Sequence, residues 1–163
     1  MMSSMHYLFL FLIFLVTHLK AEMIGKVEYH LPKEASDWQM IGKVETDKKV
    51  KSTTITYAPL GLDIERFTAH VNNLPTVVEK GTLEKIIKTM FPGDNVSITV
   101  IKDKPQSILF EWSADHTYGL TKVIYPSDST TMFIYMTQEK ARFDKVRSSW
   151  IQMLHHIGNC ETW

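Results

Sequence analysis

The last stretch of the chain constrains the fold most. From about Glu139 to Ile157, the residues Phe143, Val146, Trp150, Met153, Leu154 and Ile157 recur at helical spacing, which gathers them onto one side of an α-helix. Gly158 and Asn159 supply its stop. A helix with such a stripe is not stable alone in water, so it must lie on an apolar surface built by the rest of the chain. Trp150 is the expected anchor.

Strand candidates for that surface come just before the helix: Val96 to Ile101, Ser107 to Trp112, Gly119 to Tyr125 and Thr131 to Met136. Each is rich in β-branched or aromatic residues. The separators hold Asp103 and Pro105, then Asp115 and His116, then Pro126, Ser127 and Asp128. Connections this short join antiparallel neighbours, because parallel pairing needs a crossover of roughly a dozen residues or more. The expected arrangement is a meander.

In the first half, Trp38 to Glu45 and Lys51 to Tyr57 flank Asp47, Lys48 and Lys49 as a hairpin. Pro59 and Gly61 then break the strand, and Asp63 is placed to cap a helix striped by Ile64, Phe67, Val71 and Leu74. Pro75 ends it. Thr76 and Glu79 have capping-box spacing for a further helix with Leu83, Ile86, Ile87 and Met90 on one face, stopped by Phe91-Pro92-Gly93-Asp94. The hexapeptide Met-Ile-Gly-Lys-Val-Glu occurs at 23–28 and again at 40–45; both copies are short strand candidates, and two copies do not make a solenoid. The fold class expected is α+β, an antiparallel meander sheet packed by the C-terminal helix and by one or two mid-chain helices.

Tyr7 to Val16 form an apolar run, YLFLFLIFLV, of the length of a signal-peptide core and short of the about 20 residues that span a bilayer. Cleavage after Ala21 is expected, although the leader lacks an N-terminal Lys or Arg; an uncleaved anchor is the alternative. The division expected is a signal peptide over 1–21, one domain over 22–158 and a tail over 159–163. A length of 163 residues with 44% hydrophobic residues suits a single core. The single cysteine, Cys160, cannot form an intrachain disulfide, so packing must hold the fold. The compartment expected is extracytoplasmic, periplasmic or secreted.

Eighteen basic residues balance eighteen acidic ones, leaving no global field for nucleic acid, and no nucleic-acid partner is expected. The nucleophile elbow, the H-E-x-x-H motif, the P-loop and the dinucleotide fingerprint are all missing from the sequence. Glu111, Asp115 and His116 around one strand end could supply a carboxylate that orients an imidazole for proton transfer, but a solvated turn is the plainer reading, and no catalytic residue is assigned. His155, His156 and Cys160 invite a metal reading that helical geometry opposes, since adjacent helical residues point about 100° apart. Neither a metal nor a cofactor is expected. Trp38, Trp112 and Trp150 could line a ligand pocket, though large aromatics in a small domain are more often core. Lys140, Arg142, Lys145 and Arg147 give the final helix a basic outer side.

The order of Trp38, the segment Thr54-Ile55-Thr56-Tyr57-Ala58-Pro59-Leu60-Gly61, a helix carrying Phe67, then Phe110-Glu111-Trp112 and a closing helix with Trp150-Ile151 resembles small exported bacterial proteins of unassigned function. The element order is also similar, more distantly, to the PsbP and Mog1-like α/β/α sandwiches. These resemblances imply export and a fold, and bring no catalytic residues with them. The function expected is a non-enzymatic binding or interaction module for an unknown protein or small-molecule ligand. The alternatives are an extracytoplasmic hydrolase or other enzyme with a site assembled from distant residues, and an envelope protein that contacts the membrane only through an uncleaved leader.

Overall fold

A computed structural model describes residues 21–61, 64–76, 78–125 and 128–158. Residues 1–20 of the leader expected over 1–21, Asp63, and the tail with Cys160 and Trp163 lie outside the described residues. Strands β1 (Glu22–Ile24) and β2 (Val27–Tyr29) form a small hairpin, followed by one 3-10 turn at Lys33–Ala35. Then come β3 (Gln39–Asp47), β4 (Lys51–Ala58), β5 (Glu65–Asn72), helix α1 (Lys80–Met90), β6 (Val96–Lys104), β7 (Ser107–Ala114), β8 (Thr117–Ile124), β9 (Thr130–Thr137) and helix α2 (Lys140–His156).

Seven strands build one sheet in the order β3-β4-β5-β9-β8-β7-β6, every neighbouring pair antiparallel. The expected meander is therefore present as β6 to β9, with the β3–β4–β5 meander joined to it through the β5–β9 pair. Because one face of each strand takes alternate residues, the register Tyr57↔Phe67↔Tyr135 places three aromatic rings on one face. Helix α2 lies on that face against β8 and β9, burying Phe143, Val146, Trp150, Met153 and Leu154. The β1–β2 hairpin extends the same layer, with Tyr29 against Phe67 and Phe133. On the opposite face α1 packs on β6 and β7, where Leu83 and Ile87 join Ile108, Phe110, Trp112 and Val123. The fold is α+β, with helices on both faces of the sheet.

Two expectations are corrected. Residues 65–72, read as a helix striped by Ile64, Phe67, Val71 and Leu74, form strand β5 in the interior of the sheet. Phe67, Ala69 and Val71 point to the α2 layer while Thr68, His70 and Asn72 point away, so the governing period is two. Backbone pairing to β4 on one side and β9 on the other outweighs a local pattern that fits both periods. The capping box is the second. Thr76 N–H donates to Thr130 Oγ1 (2.9 Å), and α1 starts later, after Glu79, without a side-chain cap.

Gly119 shows how closely the layers fit. A Cβ there would come within 2.2 Å of the Trp112 ring, so only glycine leaves room for the indole across the strand pair. Trp112 Nε1 donates to Thr121 Oγ1 (3.0 Å), satisfying its polar edge inside the layer.

Candidate functional site

The three residues singled out around the β7–β8 turn do not converge. Asp115 and His116 form the two-residue turn, both exposed, with Asp115 at φ 45°. Asp115 Oδ1 accepts from the backbone N–H of Asn95 (3.2 Å) and from its side-chain amide (3.4 Å), fastening the turn to the start of β6. Glu111 lies four residues earlier on the strand, roughly 13 Å away at strand rise, and takes Arg147 Nε at 2.5 Å. Its carboxylate ties α2 to the sheet.

The three tryptophans also part company. Trp38 and Trp150 meet on the α2 face with ring centroids 5.5 Å apart, while Trp112 packs with Phe91 on the other face (5.4 Å). All three are buried in the core. On the outer side of α2, Arg142 and Arg147 turn inward to Glu65 and Glu111, whereas Lys140 pairs with Asp144 one turn on. Among the described residues no group of three His, Cys, Asp or Glu side chains could hold a metal ion. No described helix is long and apolar enough to cross a membrane.

One polar cluster lies on the α1 side of the sheet, across β4 and β5. Its floor is Thr54, Thr56, Thr68, His70 and Asn72, each half-buried. Thr54 Oγ1 sits 2.8 Å from His70 Nδ1, and Asn72 Nδ2 is 3.5 Å from His70 Nε2. The Asn72 amide is oriented by its own turn, because Oδ1 accepts the Leu74 backbone N–H at 3.0 Å. The amide nitrogen therefore faces Nε2, a geometry that favours the tautomer with its proton on Nδ1, towards Thr54. Burial also pushes the His70 pKa down.

The second cluster is cationic. Lys102 and Lys104 on β6, Lys122 on β8 and His155 near the end of α2 surround one recess whose remaining lining is Ser107 and Leu109. The register Lys102↔Leu109↔Lys122 puts these side chains on the α2 face. Lys122 is 3% exposed. Its ammonium donates to the carbonyls of His155 (3.1 Å) and Ile157, the orphan carbonyls at the end of α2. Lys102 Nζ donates to His155 Nε2 at 2.7 Å. Burial, with Lys104 and Lys102 adding like charge, pushes the Lys122 pKa down to about 8. The His155 pKa is lowered as well, first by desolvation and then by Lys102, His156 and the other two lysines. Among the described residues no acidic side chain lines the recess.

Sequence reasoning passed over both clusters. The alternation Phe67-Thr68-Ala69-His70-Val71-Asn72 was the available signal for the first. A single lysine inside the apolar strand Leu120 to Ile124 was the signal for the second.

No protein-family model matches the chain, and no curated protein matches it. Among solved structures the chain is similar to the cyanobacterial PsbP (CyanoP) of Synechocystis sp. PCC 6803, with a TM-score of 0.54 and 15% sequence identity, over 86% of this chain and 91% of that one. The PsbP-like element order expected from the sequence is thus present. At this identity the likeness concerns the fold alone.

Proposed function

We propose that the chain is a non-enzymatic binding module that works outside the cytoplasm, periplasmic or secreted, and takes an anionic group of its ligand on the surface beside Lys102 and Lys104, at the mouth of the recess. One observation carries this reading: among the described residues, two further ammonium groups, Lys102 and Lys104, stand beside the one that answers the end of α2. The carbonyl end of a helix amounts to about half a negative charge, and Lys122 alone answers it. Lys102 and Lys104 converge on the same place, and among the described residues no acidic side chain lines it. Such an arrangement repels itself until an anion enters, and a phosphate, sulfate or carboxylate group would accept charge-assisted hydrogen bonds from the two β6 ammonium groups.

Export rests on the apolar run from Tyr7 to Val16 and the small residue Ala21. Binding is favoured over catalysis by the disposition of the imidazoles. His70 is hydrogen-bonded to Thr54, His155 accepts from Lys102, and His116 stands in an exposed turn.

The test is titration of the full chain with inorganic phosphate and with sulfate at neutral pH, followed by NMR. Saturable shifts at Lys102, Lys104 and His155 in the millimolar range are expected, with Lys104→Ala weakening binding roughly tenfold, the loss of one charge-assisted hydrogen bond. Shifts that never saturate, or that survive Lys102→Ala and Lys104→Ala together, would sink the reading.

A further inference from the structure

We infer that the outer edge of β3 is a self-pairing surface, and that its partner is β3 of a second copy of this chain, antiparallel and centred on Val44. Strand β3 is the end of the seven-strand order and has β4 as its one sheet neighbour. Its outward row of backbone N–H and C=O groups is therefore open to another strand. The edge carries Lys43, Glu45 and Asp47, charges of both signs, and three of its nine residues are apolar and well exposed: Met40 at 49%, Ile41 at 61% and Val44 at 62%.

Charge order along the strand selects the partner. Opposed residues in an antiparallel pair must have the same parity, so a two-fold axis between copies has to pass through a residue. An axis at Val44 sets Val44 against Val44, Gly42 against Thr46, and Lys43 against Glu45 twice. An axis at Lys43 opposes two lysines, and one at Glu45 opposes two glutamates at its centre although it sets Lys43 against Asp47 twice, so of the three the Val44 axis alone opposes no like charges. Lys43 and Glu45 already share a face, with Nζ and Oε1 2.7 Å apart within one strand. Pairing exchanges that contact for two equivalent ones across the axis.

The bulge between Met40 and Gly42 limits the regular segment to Gly42–Thr46. Five residues a side bury little beside the about 1,200–2,000 Å² of stable complexes. The dimer is accordingly weak, concentration-dependent and in exchange with monomer. It also joins two seven-strand sheets edge to edge, leaving the cationic recesses near the β6 edges at the far ends, so this inference stands independently of the proposed function.

Sedimentation velocity of the full chain over a wide concentration range tests it. The expected result is a shift from monomer towards dimer, abolished by Val44→Lys, whose exposed position leaves the thermal midpoint unchanged. Lys43→Glu and Glu45→Lys each weaken association, because each opposes like charges, and the combined exchange restores it. In a Cys160→Ser background, Val44→Cys forms a disulfide-linked dimer under mild oxidation and Lys48→Cys does not. A chain that stays monomeric throughout, or a dimer indifferent to Val44→Lys and to the charge exchanges, would overturn the inference.

Discussion

Tyr135 and Trp150 stack with ring centroids 4.3 Å apart and planes 14° from parallel. Tyr135 comes from β9 near the middle of the sheet and Trp150 from the centre of α2, so this contact sets how the helix is rotated on its floor. Trp150 also meets Phe67 at 5.2 Å and Trp38 at 5.5 Å, and it is fully buried. Trp150→Ala should cost about 3–5 kcal/mol, measured by urea denaturation. Among the described residues Trp150 Nε1 has no hydrogen-bond partner, so Trp150→Phe sacrifices packing alone and should cost clearly less. A loss under about 1 kcal/mol for the alanine variant would mean that the helix does not depend on this contact.

The same tyrosine carries a polar latch. Its hydroxyl donates to Glu65 Oε1 at 2.7 Å, and Arg142 Nε donates to Oε1 and Oε2 of Glu65 at 3.1 and 3.2 Å. Desolvation, then the hydrogen bond to Glu65, push the Tyr135 pKa well above the usual phenol range. Removing the guanidinium strands a buried carboxylate, which costs more than removing both charges. Arg142→Leu alone should therefore be less stable than Arg142→Leu with Glu65→Leu, by on the order of 2 kcal/mol in a double-mutant cycle. Equal stability of the two would count against the latch.

Stability should depend on pH through two buried bases whose shifts have the same sign. His70 has a folded pKa below its ordinary value of 6.5, so the unfolded chain binds the proton first. Its contribution is complete above about 6.5 and is lost as pH falls through the lower folded value. His70→Asn, which keeps a donor towards Thr54, should flatten the fall of thermal midpoint in that range.

Lys122 acts at the other end of the scale. Its folded pKa is about 8 against 10.5 for the free side chain, so stability should rise as pH climbs from about 8 towards 10. The carbonyls of His155 and Ile157 pull the other way by holding the ammonium form, but burial and the flanking lysines prevail. Denaturant titrations at pH 7.5 and 9.5 should show the gain in the natural chain and its loss in Lys122→Gln. A flat profile in the natural chain would refute the assignment.

Two glycines in identical hexapeptides should respond differently to alanine. Gly25 has φ +58°, and a Cβ there would meet Val71 Cγ2 at 3.1 Å; nothing lies within 4 Å of a Cβ at Gly42, whose φ is ordinary. Gly25→Ala should cost about 1–2 kcal/mol, and Gly42→Ala should be neutral or slightly stabilising. Thermal denaturation of the two single variants decides it.

Much of the architecture was legible from local pattern. The stripe from Phe143 to Ile157 specified α2, and the β-branched runs with short polar separators specified β6 to β9, because in each case the period and the turn residues agree. Residues 65–72 were not legible. Phe67 and Val71 are four apart and satisfy a helix as well as a strand, and the decisive pairing, Phe67 with Tyr135, joins residues far apart in the chain. The cationic recess was hidden for the same reason, since β6, β8 and α2 each bring part of it.

The sequence by itself determined where apolar faces must form: one helical flank, and alternate residues along most of the strands. Tertiary structure alone decided what Met-Ile-Gly-Lys-Val-Glu becomes. At 23–28 it folds back on itself through Gly25 over the aromatic layer, and at 40–45 it runs within β3 beside β4 as the rim of the sheet. Six residues have too small an intrinsic preference to choose between these states, so the neighbour that offers hydrogen bonds and buried surface makes the choice.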